Sequence, residues 1–274
     1  EAEKNLDGGN LKSYAATDIY FGGSAASWYK FANSMEVRML MRISATDLFN
    51  AVNGPARLKE LEGKCLTENV TSNPGYYAGN YKMNPIYSAY GHTYQWTVAN
   101  GRTGRRATGR SQYDPTEEMV KFLRDTENPL LRVYADPKEK LGSDSYTRYE
   151  NFGMEKEYYI GVPYGVSSPS QRAYVSLVGF GAVEMTNTEI GQDFENGSTR
   201  DQVIFPACAV YFNFAEAALK GYIDGGDTKA KEYYEKGVKA MFNYYEKPLQ
   251  APCSYAGAKA PISGTAEEAA DGYL

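Results

Sequence analysis

Apolar positions are densest between Phe205 and Tyr245, where their spacing predicts two helices folded back on one another. Pro206 suits a first helical position, because its missing N–H would be unpaired there anyway. The run from Ala207 to Leu219 is interrupted by polarity only at Asn213 and Glu216, with Lys220 just beyond it. These three residues are spaced three and four apart and form one thin stripe, with Glu216 in the favourable order before Lys220, so the rest of the cylinder is expected to be buried. Gly221 and Gly225-Gly226 break the helix, and Asp227 or Thr228 can cap the next one. On that second helix Ala230, Tyr234, Gly237 with Val238, Met241 and Tyr245 keep a helical period. Glu232 with Lys236 and Glu235 with Lys239 can pair on the opposite face, and Pro248 is the expected stop. Glycine within a helix costs about 1 kcal/mol against alanine, so Gly237 predicts a close backbone approach, with Ala218, Ala230 and Gly237 as the contact line.

A second long helix is predicted over 27–44, where Trp28, Phe31 with Ala32, Met35, Met39 and Ile43 recur at helical spacing and Arg38 and Arg42 sit near the end that favours cations. It follows a turn, Asp18 to Gly23. Pro55 opens a short helix over 56–64. Asp114-Pro115-Thr116-Glu117 reads as another helix start, with Asp114 as cap, running to about Asp125. Between Cys65 and Ser111 the regularity stops, and a long tyrosine-bearing loop is expected to pack by its own side chains. From Glu127 to Ser198 the pattern shows turns at Asn128-Pro129, Asp136-Pro137 and Val162-Pro163-Tyr164-Gly165, and β-like runs at 158–162 and 174–180. No repeat of fixed period spans the chain, so an extended solenoid is not supported. The fold class is mostly α, with tetratricopeptide-like helix pairs, long irregular loops and a few small strands. Residues 1–17 form a polar lead-in, 18–250 one domain and 251–274 a flexible tail.

Composition narrows the function. A chain of 274 residues can bury a substantial core, and its net charge of −5 argues against nucleic acid as a partner. No apolar run approaches the roughly 18 residues of a membrane helix. The sequence starts at Glu1 without methionine or a signal-like segment, so a mature form or a fragment is expected. Cys65, Cys208 and Cys253 lack metal-ligand spacing, and Cys208 falls on the apolar helix as a small core residue. The 25 tyrosines have two readings, large packing residues with a wet edge or an aromatic platform for a flat ligand such as a sugar ring.

Two long stretches then carry a resemblance. Asp18 to Ser44, with Tyr20-Phe21-Gly22-Gly23, Trp28, Lys30-Phe31-Ala32-Asn33-Ser34 and Arg38-Met39-Leu40-Met41-Arg42-Ile43-Ser44, resembles the signature helix of SusD/RagB-type surface glycan-binding lipoproteins. Ala215 to Gly221 and Ala230 to Ala240 resemble the same family's helix pair in the same order, and Asn84-Pro85-Ile86-Tyr87 and Gly161 to Gly165 fit its connecting segments. The family's Asp-Pro-Arg is replaced by Asn128-Pro129-Leu130, with Arg132 displaced, and its members extend further at both ends. The resemblance implies an internal portion of a non-catalytic polysaccharide- or oligosaccharide-binding protein. It would act at the outer-membrane surface of a bacterium, be lipid-anchored in its full-length form, and deliver glycan to a TonB-dependent, SusC-like transporter.

Catalytic and cofactor signals are missing. His92 is the single histidine, and no HExxH, paired CxxC, GxxxxGK or dinucleotide GxGxxG occurs, so neither metal nor cofactor is expected. Glu184 with Glu189, or Asp144 with Glu150, are the carboxylates that could pair for glycoside hydrolysis, though a solvated surface is their default. Arg102, Arg105, Arg106 and Arg110 form the one basic cluster, open to a nucleic-acid or a partner-protein reading. A glycoside hydrolase and a tetratricopeptide-like interaction scaffold are the alternatives to a glycan binder. Tyr87, Tyr90, Tyr94 and Trp96 are the expected ligand-binding residues, because rings on an irregular loop are less needed for a helical core and can pack on sugar C–H faces beside polar Asn84 and Gln95. The same rings could instead pin the loop or meet the transporter.

Overall fold

The computed structural model describes residues 15–77, 82, 84, 85, 94–97, 103–106, 115–135, 159, 161–165, 201–250 and 262–274. They fall into two compact units, one of residues 1–74, 201–241 and 274, the other of residues 75–200 and 242–273. Among the described residues the chain is mostly helical, with nine helices and four short strands.

In the first unit Asp18 builds the entry to α1 (Ala25–Arg42). Its Oδ1 accepts from the Tyr20 and Phe21 amides at 3.1 and 3.2 Å, and its Oδ2 from the Gly23 amide and the Trp28 indole N–H, both at 2.8 Å. Burial pushes this carboxyl up, but the four donors together hold it below the usual carboxylate value. Ser24 caps the helix by accepting from the Ser27 amide at 3.2 Å. Tyr20, Phe21, Trp28, Phe31 and Phe205 continue as a run of ring contacts with centroids 4.9–6.1 Å apart.

The buried face of α1 is shifted from the one its apolar spacing predicts. Asn33, Ser34, Val37, Leu40 and Met41 are buried, Phe31, Met35 and Ile43 flank them, and Met39 is 56% exposed. Two polar side chains tie this face to the backbone, and Ser34 satisfies a buried amide that would otherwise be unpaired. Asn33 Nδ2 donates to the Lys64 carbonyl at 2.8 Å. Ser34 Oγ donates to the Lys30 carbonyl at 2.7 Å and accepts from the Leu66 amide at 2.9 Å. Next come α2 (Asp47–Ala51) and α3 (Gly54–Leu61), the latter starting two residues before and ending three residues before the expected bounds, the end set where Glu62 turns extended and Gly63 takes φ +76°. Arg57 clamps α3 to α1 through both oxygens of Glu36, at 2.6 and 2.9 Å.

Strand β1 (Val70–Ser72) belongs to the stretch expected to be irregular. It pairs antiparallel with β4 (Gln202–Phe205), Val70 opposite Phe205; β2 (Tyr94–Thr97) and β3 (Thr103–Arg106) fall in the same stretch as β1. The isolated runs are too short to show a strand period; pairing makes them strands. Pro206 is the cap of α6 (Ala207–Leu219) rather than its first residue, and Asn69 Oδ1 accepts from the Ala207 amide at 2.8 Å. α6 packs against α1, burying Val210, Phe214, Ala215, Ala217 and Ala218. Glu216 and Lys220 pair at 2.7 Å as expected, while Leu219 is 65% exposed.

α7 (Gly226–Tyr244) starts early enough to place Asp227 and Thr228 inside its first turn, not at the cap. Of its adjacent tyrosines the buried one is Tyr233, not Tyr234, which is 47% exposed. Tyr233 stacks on Phe214 at 5.3 Å and donates its hydroxyl to Glu62 Oε1 at 2.8 Å, so its polar end is satisfied at the rim of the core. Burial foremost, and the Glu62 carboxylate beside it, push the Tyr233 phenol well up. Gly237 makes room for a side chain, not a backbone: a Cβ there would lie 2.6–2.9 Å from three atoms of the Phe212 ring. Glu232 pairs with Lys236 at 2.6 Å, and Glu235 reaches back to Lys231 at 3.6 Å. Pro248 does not stop α7, which ends four residues earlier; it lies in α8 (Glu246–Gln250), near enough to the helix start for its missing N–H to be tolerated.

In the second unit α4 (Glu117–Asp125) is capped by Thr116, whose Oγ1 accepts from the Met119 amide at 3.3 Å. The expected cap, Asp114, lies outside the described residues. Val162 bridges in parallel to Thr116, with its amide on the Pro115 carbonyl at 2.8 Å and its carbonyl on the Glu117 amide at 2.9 Å. Gly161 is required beside it, since a Cβ would strike the backbone of Thr116 and Glu117. Val120, Leu123, Leu131, Ala135 and Tyr159 form one buried cluster of this unit around α4 and α5 (Leu131–Tyr134). Residues 262–274, expected as part of a flexible tail, include α9 (Ala266–Tyr273). Thr265 and Glu268 make a reciprocal cap at its start, Glu268 Oε2 accepting from the Thr265 amide at 2.9 Å and Thr265 Oγ1 from the Glu268 amide at 3.2 Å.

Candidate functional site

The chain leaves α4 through an unusual turn. The Asn128 amide donates to the Leu123 carbonyl at 2.8 Å and the Glu127 amide to the Arg124 carbonyl at 3.0 Å, a helix-ending arrangement whose left-handed residue is normally glycine. Here that residue is Glu127, at φ +53°. Asn128 Oδ1 then accepts from the Leu130 amide at 2.9 Å, and Pro129 extends from the turn.

Within the same unit this turn forms one wall of a cleft of about 500 Å³, lined by Thr126, Glu127 and Pro129 on one side and by Ile262, Ser263, Glu268, Ala269, Gly272 and Tyr273 on the other. The volume falls inside the range of roughly 300–1,000 Å³ common to small-molecule sites. The second wall is well fixed. Ile262 donates its amide to the Leu249 carbonyl at 3.0 Å, Gln250 donates to the Gly264 carbonyl at 2.7 Å, and Glu246 Oε1 accepts from the Ala266 amide at 3.2 Å. The Tyr273 ring is stacked on Phe242 with centroids 5.8 Å apart. The lining combines an aromatic ring, hydroxyls and carboxylates, the groups that meet sugar C–H faces and sugar hydroxyls.

Of the residues singled out for ligand, Tyr87 and Tyr90 lie outside the described residues. Tyr94 and Trp96 stand two apart on β2 (Tyr94–Thr97), which pairs antiparallel with β3 (Thr103–Arg106). Tyr94 is opposite Arg106 and Trp96 opposite Gly104, so a backbone ladder, not a loop, carries them. Gln95 faces Arg105 in that register, and Asn84 is buried. His92, Arg102, Arg110, Asp144, Glu150, Glu184, Glu189 and Cys253 lie outside the described residues. Among the described residues no group of three or more His, Cys, Asp or Glu could hold a metal, and no helix is long and apolar enough to cross a membrane. Burial pushes the Cys65 thiol up to about 11 and raises that of Cys208. Sequence reasoning passed over Glu127, Glu268 and Tyr273. The one available signal was a glutamate directly before Asn128-Pro129, where a helix ends.

Comparison with known proteins decides the family. The model of the SusD-like family described as starch-binding and associating with the outer membrane matches residues 1–268. The chain belongs to that family. No curated protein matches it. Its SusD-like fold is shared with solved structures. A SusD homologue from Bacteroides fragilis NCTC 9343 superposes with a TM-score of 0.60 at 18% identity, over 99% of this chain and 52% of that one. A SusD homologue from Bacteroides vulgatus ATCC 8482 gives 0.57 at 20%, over 96% and 46%. A protein named as chitin-binding gives 0.59 at 20%, over 99% and 50%. The SusD-like chain thus spans about half the length of these relatives.

Proposed function

We propose that this SusD-like protein is a non-catalytic binder of polysaccharide or oligosaccharide at the bacterial cell surface. In its full-length, lipid-anchored form it hands glycan to a TonB-dependent, SusC-like outer-membrane transporter. The observation that carries this reading is the family match across residues 1–268, in a family described as starch-binding and associated with the outer membrane. The cleft beside Tyr273 supports it by offering a fixed ring among hydroxyls and carboxylates. Tyr87, Tyr90, Tyr94 and Trp96 are the second proposed contact region, where rings would stack on sugar faces.

Affinity electrophoresis of the chain through a panel of polysaccharides, with product analysis of the same mixtures, tests the reading. Retention by at least one glycan without release of new reducing ends is expected. New reducing ends would make the protein a hydrolase. Absence of retention by every glycan, together with capture of a transporter, would leave only an interaction scaffold. Trp96→Ala with Tyr94→Ala should weaken retention at unchanged helix content; unchanged retention removes that region from the site.

A further inference from the structure

We propose that the cleft between the end of α4 and α9 is a glycan subsite selective for neutral sugar residues over acidic ones, with Glu127 as its ligand-facing carboxylate. The inference rests on the glycan-binding reading above and assigns the class of sugar that this cleft takes.

Glu127 is a costly residue for its place. Only Asn53 and Glu127 are non-glycine residues with positive φ among those described, and asparagine tolerates that conformation far better than glutamate. A glycine would end α4 with less strain. Among the described residues nothing offsets that strain: the Glu127 side chain makes no hydrogen bond or ion pair there, and it lines the cleft. Across from it Glu268 commits Oε2 to the Thr265 amide and leaves Oε1 open. Thr126 spends its hydroxyl proton on the Phe122 carbonyl at 2.7 Å, so toward the cleft it can only accept.

Among the described residues the cleft is therefore rich in acceptors, with Ser263 and Tyr273 as its side-chain donors and no lysine or arginine in its lining. A sugar hydroxyl is a donor that carboxylates accept strongly. The carboxylate of a uronate, or a sulfate group, adds only acceptors and a negative charge in the field of Glu127 and Glu268, which disfavours it. Tyr273, held on Phe242, supplies the flat apolar surface that a ring's C–H face requires.

The test uses the 274-residue chain with starch, mannan, xylan and chitin oligosaccharides as neutral probes and oligogalacturonate and heparin as acidic ones, read by calorimetry and affinity electrophoresis. The chain should bind at least one neutral probe and neither acidic one. Glu127→Gln should weaken neutral binding about 5–10-fold, the loss expected when a charge-assisted hydrogen bond becomes a neutral one. Glu127→Gly should weaken it at least as much while raising Tm by about 2 °C, because the left-handed strain is relieved. A merely structural Glu127 would not separate these two readouts. Unchanged neutral binding in both folded variants overturns the cleft assignment while leaving the glycan-binding reading standing. Preferential binding of oligogalacturonate or heparin overturns the charge assignment. Failure of the unmodified chain to bind any probe overturns both readings together.

Discussion

Gly237 gives the sharpest test of how the helix hairpin is packed. Glycine in a helix interior lies about 1 kcal/mol below alanine in propensity, so on the helix alone Gly237→Ala should stabilise the protein by about that amount. The structure opposes this. The new Cβ would sit 2.6 Å from Cε1, 2.8 Å from Cδ1 and 2.9 Å from Cζ of Phe212, distances that real Cβ contacts essentially never show. The Phe212 ring cannot simply withdraw, because it also contacts Tyr234 at 5.9 Å between centroids. Forcing a methyl into such a contact typically costs about 1–3 kcal/mol, so the net change is a destabilisation of about 1 kcal/mol. In a Phe212→Ala background the obstacle is gone, and the same substitution should stabilise by about 1 kcal/mol. The sign should invert, giving a coupling of about 2 kcal/mol in a double-mutant cycle. Urea unfolding followed by circular dichroism of the four chains measures it. Equal stabilisation in both backgrounds would refute the packing argument and restore a simple propensity account.

Three further outcomes are expected. Asp18→Asn should cost about 2 kcal/mol, from weakening a carboxylate that accepts four hydrogen bonds. Because the folded Asp18 value is depressed, its stabilisation is fully present above the unfolded value near 3.9 and fades as pH falls through the folded value, so unfolding curves of the two chains should converge in strong acid; a gap that persists there would be inconsistent with this. Leu40→Ala, on the buried face of α1, should cost about 2–5 kcal/mol, whereas Met39→Gln should stay within about 0.5 kcal/mol by chemical denaturation, and the reverse order would place the helix on its other face. Cys65, buried and with its thiol pushed up to about 11, should resist a disulfide reagent at pH 8 until denaturant is added, and rapid labelling of the native chain at Cys65 would contradict its burial.

Local chemistry made the strongest helices legible in the sequence. α6 and α7 are long enough for their period, their glycine break and the Glu216–Lys220 and Glu232–Lys236 pairs to be read directly, because all of these depend on residues within one or two turns. The motifs of 18–44 and 215–240 pointed to the family for the same reason: they are continuous stretches of chain. Which face turns inward was a tertiary decision. On α1 two polar residues outrank Met39 because the backbone of 64–66 needs Asn33 and Ser34. On α7 Tyr233 outranks Tyr234 because Glu62 is there to receive its hydroxyl. The strands β1 and β4 exist only as a pair brought together across some 130 residues, and neither shows a strand period of its own. The candidate site is of this second kind. Tyr94 and Trp96 could be seen as aromatic residues outside the helices, but their place on a hairpin follows from register with 103–106. Glu127 and Tyr273 could not be joined by reading along the chain at all. A cleft is made of residues distant in sequence, and the conformation of Glu127 is set by how α4 ends, information that side-chain type alone does not carry.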